Sequence, residues 1–181
     1  LLLQPHTSAG RIPTPKGYRF YVTEFAVFGD PLSEADRERI GRVVQGVRQD
    51  AENAVREFAR EIADFTHETV FVSVNGRAFY ITGMSNLFRK PEFKEPETLA
   101  TASKAFDELD TLVSAMRGRI ARDVEVLIGD DNPFGDSLAS VITRIDASIG
   151  ETILGVLGPT RMDYDTNMAL ARAVQELFSH I

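Results

Sequence analysis

Cysteine is absent from all 181 residues. That removes disulfides, thiolate catalysis and cysteine zinc sites together, and it suits a reducing cytoplasm, the expected location. No apolar run approaches the roughly 18 residues of a membrane span, so no bilayer-crossing helix is expected. Histidine is scarce: His6, His67 and His180 lie far apart, with no His-x-x-x-His pair. They read as surface or structural groups, so neither a metal nor another cofactor is expected, and no catalytic constellation stands out. Internal repeats and low-complexity tracts are missing too.

The most informative absence is local. Residues 1–23 contain no Asp or Glu but hold Arg11, Lys16 and Arg19. Their charge is +3 in a chain of net −7, so the remainder carries −10. Such asymmetry points to one basic contact surface on an acidic body. An acidic body repels phosphate at long range, which confines any nucleic-acid contact to that end. The chain also opens on the apolar run "LLLQP" without a methionine. A hairpin starting at the first residue is marginal without a surface to rest on, so an upstream portion is expected to be missing.

What is present can bury a real core. The mass is 20.1 kDa, and 43% of residues are hydrophobic against 26% charged, which fits one or two soluble domains. Leu1–Leu3 reads as a strand and Ser8-Ala9-Gly10 as a turn. Thr14 reads as an N-cap with Pro15 at the first helical position, and Tyr18, Tyr21, Val22 and Phe25 continue at helical spacing. Gly17 counts against that helix by up to ~1 kcal/mol.

After Gly29-Asp30-Pro31, Ser33 and Asp36 form a capping-box-like start. Ile40, Val44, Val47, Ala51, Ala54, Phe58, Ile62 and Phe65 then follow in steps of four and three. The spacing predicts one long helix over 33–65, roughly 50 Å at 1.5 Å per residue, packed along a partner helix within this chain or, as a dimer seam, from a second copy. "TVFVSV", Asn75-Gly76 and "RAFYIT" read as a hairpin. "MSNLFRKPEFKEPE" reads as irregular, and a second amphipathic helix runs from Pro96 to Met116. "DVEVLIG", "SLASVITRI" and "ETILGVLG" read as strands, and a last helix starts near Asp163. Strands and helices interleave without a strict βαβ rhythm, so the class is α+β.

Two further motifs fail their tests. "GDDNPFGDS" read as a calcium loop puts Phe134 and Val141 where oxygen ligands are required, leaving an acidic surface loop. "GVLGPTRMDYD" lacks phosphate-loop spacing and reads as a tight strand-to-helix turn needing two glycines, with Arg161 free to pair with a carboxylate. The basic opening has a more specific form. A turn bearing Ser8 and Arg11, followed by a helix with Lys16 and Arg19, has the shape of a winged-helix wing, whose hydroxyls and amides hold phosphates. A solvated basic patch is the alternative on composition alone.

"PHTSAGRIPTPKGYRFYV" closely resembles the signature of HrcA, the bacterial heat-inducible transcription repressor family. "GMSNLFRKPEF", "IGDDN" with Ser137 downstream, and "GVLGPTRMDY" resemble further family pieces in the family's order. The resemblance implies a wing and helix (1–28) from a winged-helix DNA-binding domain. It implies next a GAF-like antiparallel sheet with long amphipathic helices (29–181) as the regulatory and dimerising body. It implies a homodimer that binds an inverted-repeat operator near chaperone genes, with a GroE-type chaperonin as partner and no enzymatic activity. His6, Thr7, Ser8, Arg11, Lys16 and Arg19 are then the expected DNA contacts, with Ile12 and Tyr18 packing the wing onto its helix. The base-reading helix is expected upstream of Leu1. The middle is shorter than the family's, which puts the usual dimer mode in doubt, and Asp131 stands where the family pattern has Glu. A GAF-like module that binds a small molecule is the alternative.

Overall fold

The computed structural model describes residues 1–4, 10–26, 31–46, 51–76, 78–120, 123–147 and 150–179. Leu2–Leu3 (β1) and Ile12–Pro13 (β2) pair antiparallel, Leu3 opposite Ile12. Helix α1, Pro15–Glu24, starts as its cap predicts: Thr14 Oγ1 accepts from the Gly17 amide at 3.2 Å, with Pro at the head. Gly17 has its own reason. A side chain there would run into the Leu1 carbonyl oxygen, which also accepts from the Thr14 amide at 2.9 Å. Replacing Thr14 with alanine should cost α1 about 1 kcal/mol, read as faster amide exchange at Gly17 and Tyr18 with the body unaffected.

The helix expected over 33–65 is two helices: α2, Glu34–Gly46, and α3, Ala51–Thr66. They fold back on each other, since Arg39 Nε donates to Glu61 Oε2 at 2.6 Å. In one continuous helix those two positions would stand ~33 Å apart. The apolar stripe is satisfied within the chain: Ile40, Val44, Ala54, Phe58 and Ile62 are all buried. It is therefore not an open dimer seam. The periodicity was real but reports an intrachain helical pair. The expected capping box is present, with Ser33 N donating to Asp36 Oδ2 (3.0 Å) and Asp36 N to Ser33 Oγ (3.2 Å).

Five strands form the body's sheet: β3 (Thr69–Val74), β4 (Ala78–Thr82), β5 (Glu125–Ile128), β6 (Leu138–Ala147) and β7 (Gly150–Pro159). All pairings are antiparallel and the order is β4-β3-β7-β6-β5. The architecture is thus α+β. Asn75 and Gly76 both take positive φ (52° and 64°), the conformation in which Asn-Gly is favoured at a hairpin tip.

Alternation along the strands builds two cores. Val70, Val72, Val141, Leu154 and Val156 meet α2, α3 and the C-terminal helix α7, Tyr164–Ser179, on one face. Phe71, Leu138, Ile142, Ile153 and Leu157 meet the other helices on the opposite face. Those are α4 (Met84–Phe88), α5 (Pro96–Asp107) and α6 (Leu109–Met116). Residues 84–94, expected to be irregular, hold α4 and a 3₁₀ turn over Pro91–Lys94. The helix expected over 96–116 breaks at Glu108 (φ −103°, ψ 5°) into α5 and α6.

Gly155 and Gly158 lie inside β7, as the strand reading of "ETILGVLG" expects, and not in the tight strand-to-helix turn also expected of them. Each is glycine because a neighbour occupies the side-chain space: Phe71 over Gly155, and the Glu68 carboxylate over Gly158.

Candidate nucleic-acid interface

The basic edge divides in two. His6, Thr7 and Ser8 lie outside the described residues. Arg11, beside β2, and Lys16, in the first turn of α1, are exposed. Arg19, one turn further, points into the body instead. Its Nε and Nη2 donate to the Ile128 carbonyl at 3.1 and 2.7 Å, and its Nη1 lies 3.1 Å from Asp131 Oδ2. Sequence reasoning grouped the three cations by charge; the structure separates Arg19 from the others. Ile12 is 49% exposed and so does not seal the wing to its helix. Tyr18 packs on the body, its ring 5.8 Å from that of Tyr164.

The pieces that resembled the family signature meet around the foot of α1. From "IGDDN", Ile128 and Asp131 take Arg19, and Gly129 (φ 61°) gives Pro15 room: a Cβ there would come within 2.9 Å of the Pro15 Cβ. In the same loop Asn132 is buried and accepts from Ser140 Oγ at 3.1 Å. "GVLGPTRMDY" ends at Tyr164 beneath Tyr18, and the next residue, Asp165, accepts from the Tyr21 hydroxyl at 2.5 Å. Burial pushes the Tyr164 hydroxyl well above its ordinary range, so it stays protonated and donates to the Thr160 carbonyl (2.5 Å).

"GMSNLFRKPEF" supplies the next shell. Lys90 pairs with Glu68, and Glu92 takes Arg161 through two bonds, one of them 3.1 Å. Asn86 Nδ2 reaches the Glu68 carbonyl at 3.2 Å. Glu68 itself carried no sequence signal. It sits just before β3, its side chain 5% exposed, with Oε2 buried and without a hydrogen-bond partner. Burial raises its pKa, against the pull of Lys90. The Glu92–Arg161 pair ties the segment before α5 to the β7–α7 turn, and the Lys90–Glu68 pair ties it to the start of β3. Among the described residues, no group of three His, Asp or Glu could hold a metal ion, and no helix is long and apolar enough to cross a membrane.

Comparison with known proteins gives a consistent picture. A family model described as the HrcA protein C-terminal domain matches residues 26–168. A heat-inducible transcription repressor HrcA from Clavibacter michiganensis subsp. michiganensis is 35% identical over 162 residues, covering 86% of this chain and 45% of the relative. Its counterpart from Cutibacterium acnes is 30% identical over 155 residues, covering 86% and 39%. This chain therefore spans less than half of either. The Arthrobacter sp. counterpart aligns over 283 residues at 25% identity, covering all of this chain and 83% of the relative. That alignment is longer than this chain, so the relative holds residues within it that have no counterpart here. A crystal structure described as a hypothetical protein superposes with a TM-score of 0.70 at 15% identity, covering 99% of this chain and 83% of that one. This last likeness shows the fold.

Proposed function

The chain belongs to the HrcA family, and from that membership we propose that it is the body of a heat-inducible transcription repressor with the wing and helix that hold operator phosphates. The observation that carries the reading is the pair Arg11 and Lys16. Both are exposed beside the β1–β2 ribbon and the capped start of α1, in a stretch without acid on a body of net negative charge. Phosphate contacts of this kind position a protein on a duplex, whereas base contacts specify sequence. His6, Thr7 and Ser8 belong to the same proposed set of phosphate contacts, and base readout falls in this proposal to a helix outside this chain. Repression of chaperone genes, the inverted-repeat operator, the homodimer and the GroE-type chaperonin partner belong to the same proposal, as does a GAF-like identity for the body. The antiparallel five-stranded sheet with helices on both faces supports that last point.

Fluorescence anisotropy tests it. This chain should bind an inverted-repeat duplex and a scrambled duplex alike, and an upstream-extended version should prefer the inverted repeat. Each phosphate contact contributes about 0.9 to the slope of log affinity against log salt. The double variant Arg11→Gln/Lys16→Gln should therefore lose ~1.8 of that slope. An unchanged slope would remove the reading.

One observation favours a second reading, a small polar ligand held by the body. Thr143 Oγ1 on β6 and Asn167 Oδ1 on α7 are each buried without a hydrogen-bond partner, and buried polar atoms of this kind are ordinarily satisfied by a water or a ligand atom. Native mass spectrometry of the purified chain would reveal a retained molecule.

A further inference from the structure

Arg19 is placed to do something that Arg11 and Lys16 are not. Its guanidinium holds one neutral and one charged oxygen acceptor, the Ile128 carbonyl and the Asp131 carboxylate. A phosphate diester offers the same kind of acceptors, and the planar fork of arginine suits both. The clamp is open to exchange: the Arg19 side chain is 33% exposed and that of Asp131 62%. A half-solvated pair of this sort is held weakly and yields to a competing anion.

The seat also repels that anion. Asp130 and Asp131 are both exposed beside Arg19, so a duplex cannot approach the guanidinium closely while α1 stays docked. Apart from the clamp, docking among the described residues involves Pro15 against Gly129, Tyr18 against Tyr164, Tyr21 to Asp165, and Val22 against the core under α2, α3 and α7. Helix α1 has no buried residue of its own.

We propose that the Arg19 clamp is an autoinhibitory contact: the body holds on Ile128 and Asp131 a guanidinium that DNA phosphate would otherwise take, so seating of α1 and full DNA engagement exclude each other. The inference rests on the DNA-binding reading above. It makes the "IGDDN" segment the body's handle on the DNA-binding edge, so that any event loosening this segment strengthens phosphate contact.

The test is duplex binding by anisotropy across a salt series, with the whole chain and three variants. Asp131→Asn should bind about threefold tighter than wild type, the size expected for a half-exposed pair. Asp130→Asn removes the same repelling charge without taking a partner from Arg19, and should tighten binding less than Asp131→Asn does. Arg19→Gln should lower the salt slope by ~0.9, the loss of one phosphate contact. If duplex binding persists but Asp131→Asn is no tighter than Asp130→Asn, the clamp does not compete with DNA and the inference falls alone. An unchanged slope in Arg19→Gln has the same meaning. If neither wild type nor any variant binds a duplex, the DNA reading fails and takes the inference with it.

Discussion

Lys90→Met is expected to cost the fold about 3 kcal/mol at pH 7, because it leaves a buried carboxylate without its counter-ion. Glu68 is 5% exposed, its Oε1 is paired with Lys90, and its Oε2 has no partner. Methionine keeps most of the lysine's volume, so the loss is chiefly electrostatic. The pH dependence follows from the direction of the Glu68 shift. Burial raises its pKa above the ordinary 4.5, so the folded state binds the proton more tightly than the unfolded chain does. Its contribution to stability is fully present below the unfolded value and is lost as pH rises through the folded one. Removing Lys90 raises the folded value further. The penalty of Lys90→Met should therefore be small near pH 4.5 and grow toward pH 7, and Glu68→Gln in the same background should recover much of it. Urea denaturation at both pH values measures this. An equal penalty at both would assign the loss to packing of the lysine stem. The pair also bears on function, since Glu68 lies against Gly158 in the strand leading to the Tyr164 seat of α1.

Local chemistry was legible in the sequence wherever a residue answers to its near neighbours. Thr14 and Pro15 announce α1, Ser33 and Asp36 announce α2, and Asn75-Gly76 announces the β3–β4 hairpin, because each acts within a few residues of itself. The break between α2 and α3 was not legible. A stripe with steps of three and four fits one long helix and two packed helices equally, and contacts such as that of Arg39 with Glu61 separate them. The order of the strands was likewise beyond pattern reading: β6 and β7 are neighbours in sequence, but β7 also pairs with β3 across a long sequence gap that carries no local signal. For the candidate site, charge asymmetry found the basic edge but could not orient its cations. Arg19 and Lys16 are equivalent in composition, and what turns one inward is a carbonyl 109 residues away. The family-like segments were recognisable as strings; that three of them serve as the seat and supports of α1 is a fact of three dimensions.

Gly155→Val should be the most damaging single change in the sheet, costing about 3 kcal/mol or more. Gly155 lies directly opposite Phe71 in the β3–β7 register, and any Cβ at 155 would come within 2.1 Å of the Phe71 ring. The ring has no room to yield. Phe79 stacks on it at 5.8 Å, Phe134 meets it edge-on at 5.8 Å, and Phe71 is fully buried. The alternative is for β7 to shift, and β7 is hydrogen-bonded on both edges. Alanine at 155 already meets the ring and should cost about 2 kcal/mol, less than valine because fewer atoms must be placed. The double variant Phe71→Ala/Gly155→Val separates this cause from others. Phe71→Ala alone should cost about 3–5 kcal/mol through its cavity. If the ring is the obstacle, the double variant should be less destabilised than the sum of the singles by roughly 2 kcal/mol, since the valine then fills space the phenylalanine has left. Additive losses in denaturant midpoints would mean that the strand backbone, and not the ring, rejects the side chain. The same measurement bears on the functional reading, because β7 leads through Gly158 and Arg161 to Tyr164 and the seat of α1. A valine at 155 that displaced this strand would loosen α1 from the far side of the sheet, and its α1 amides would exchange faster than those of Lys90→Met at equal global stability.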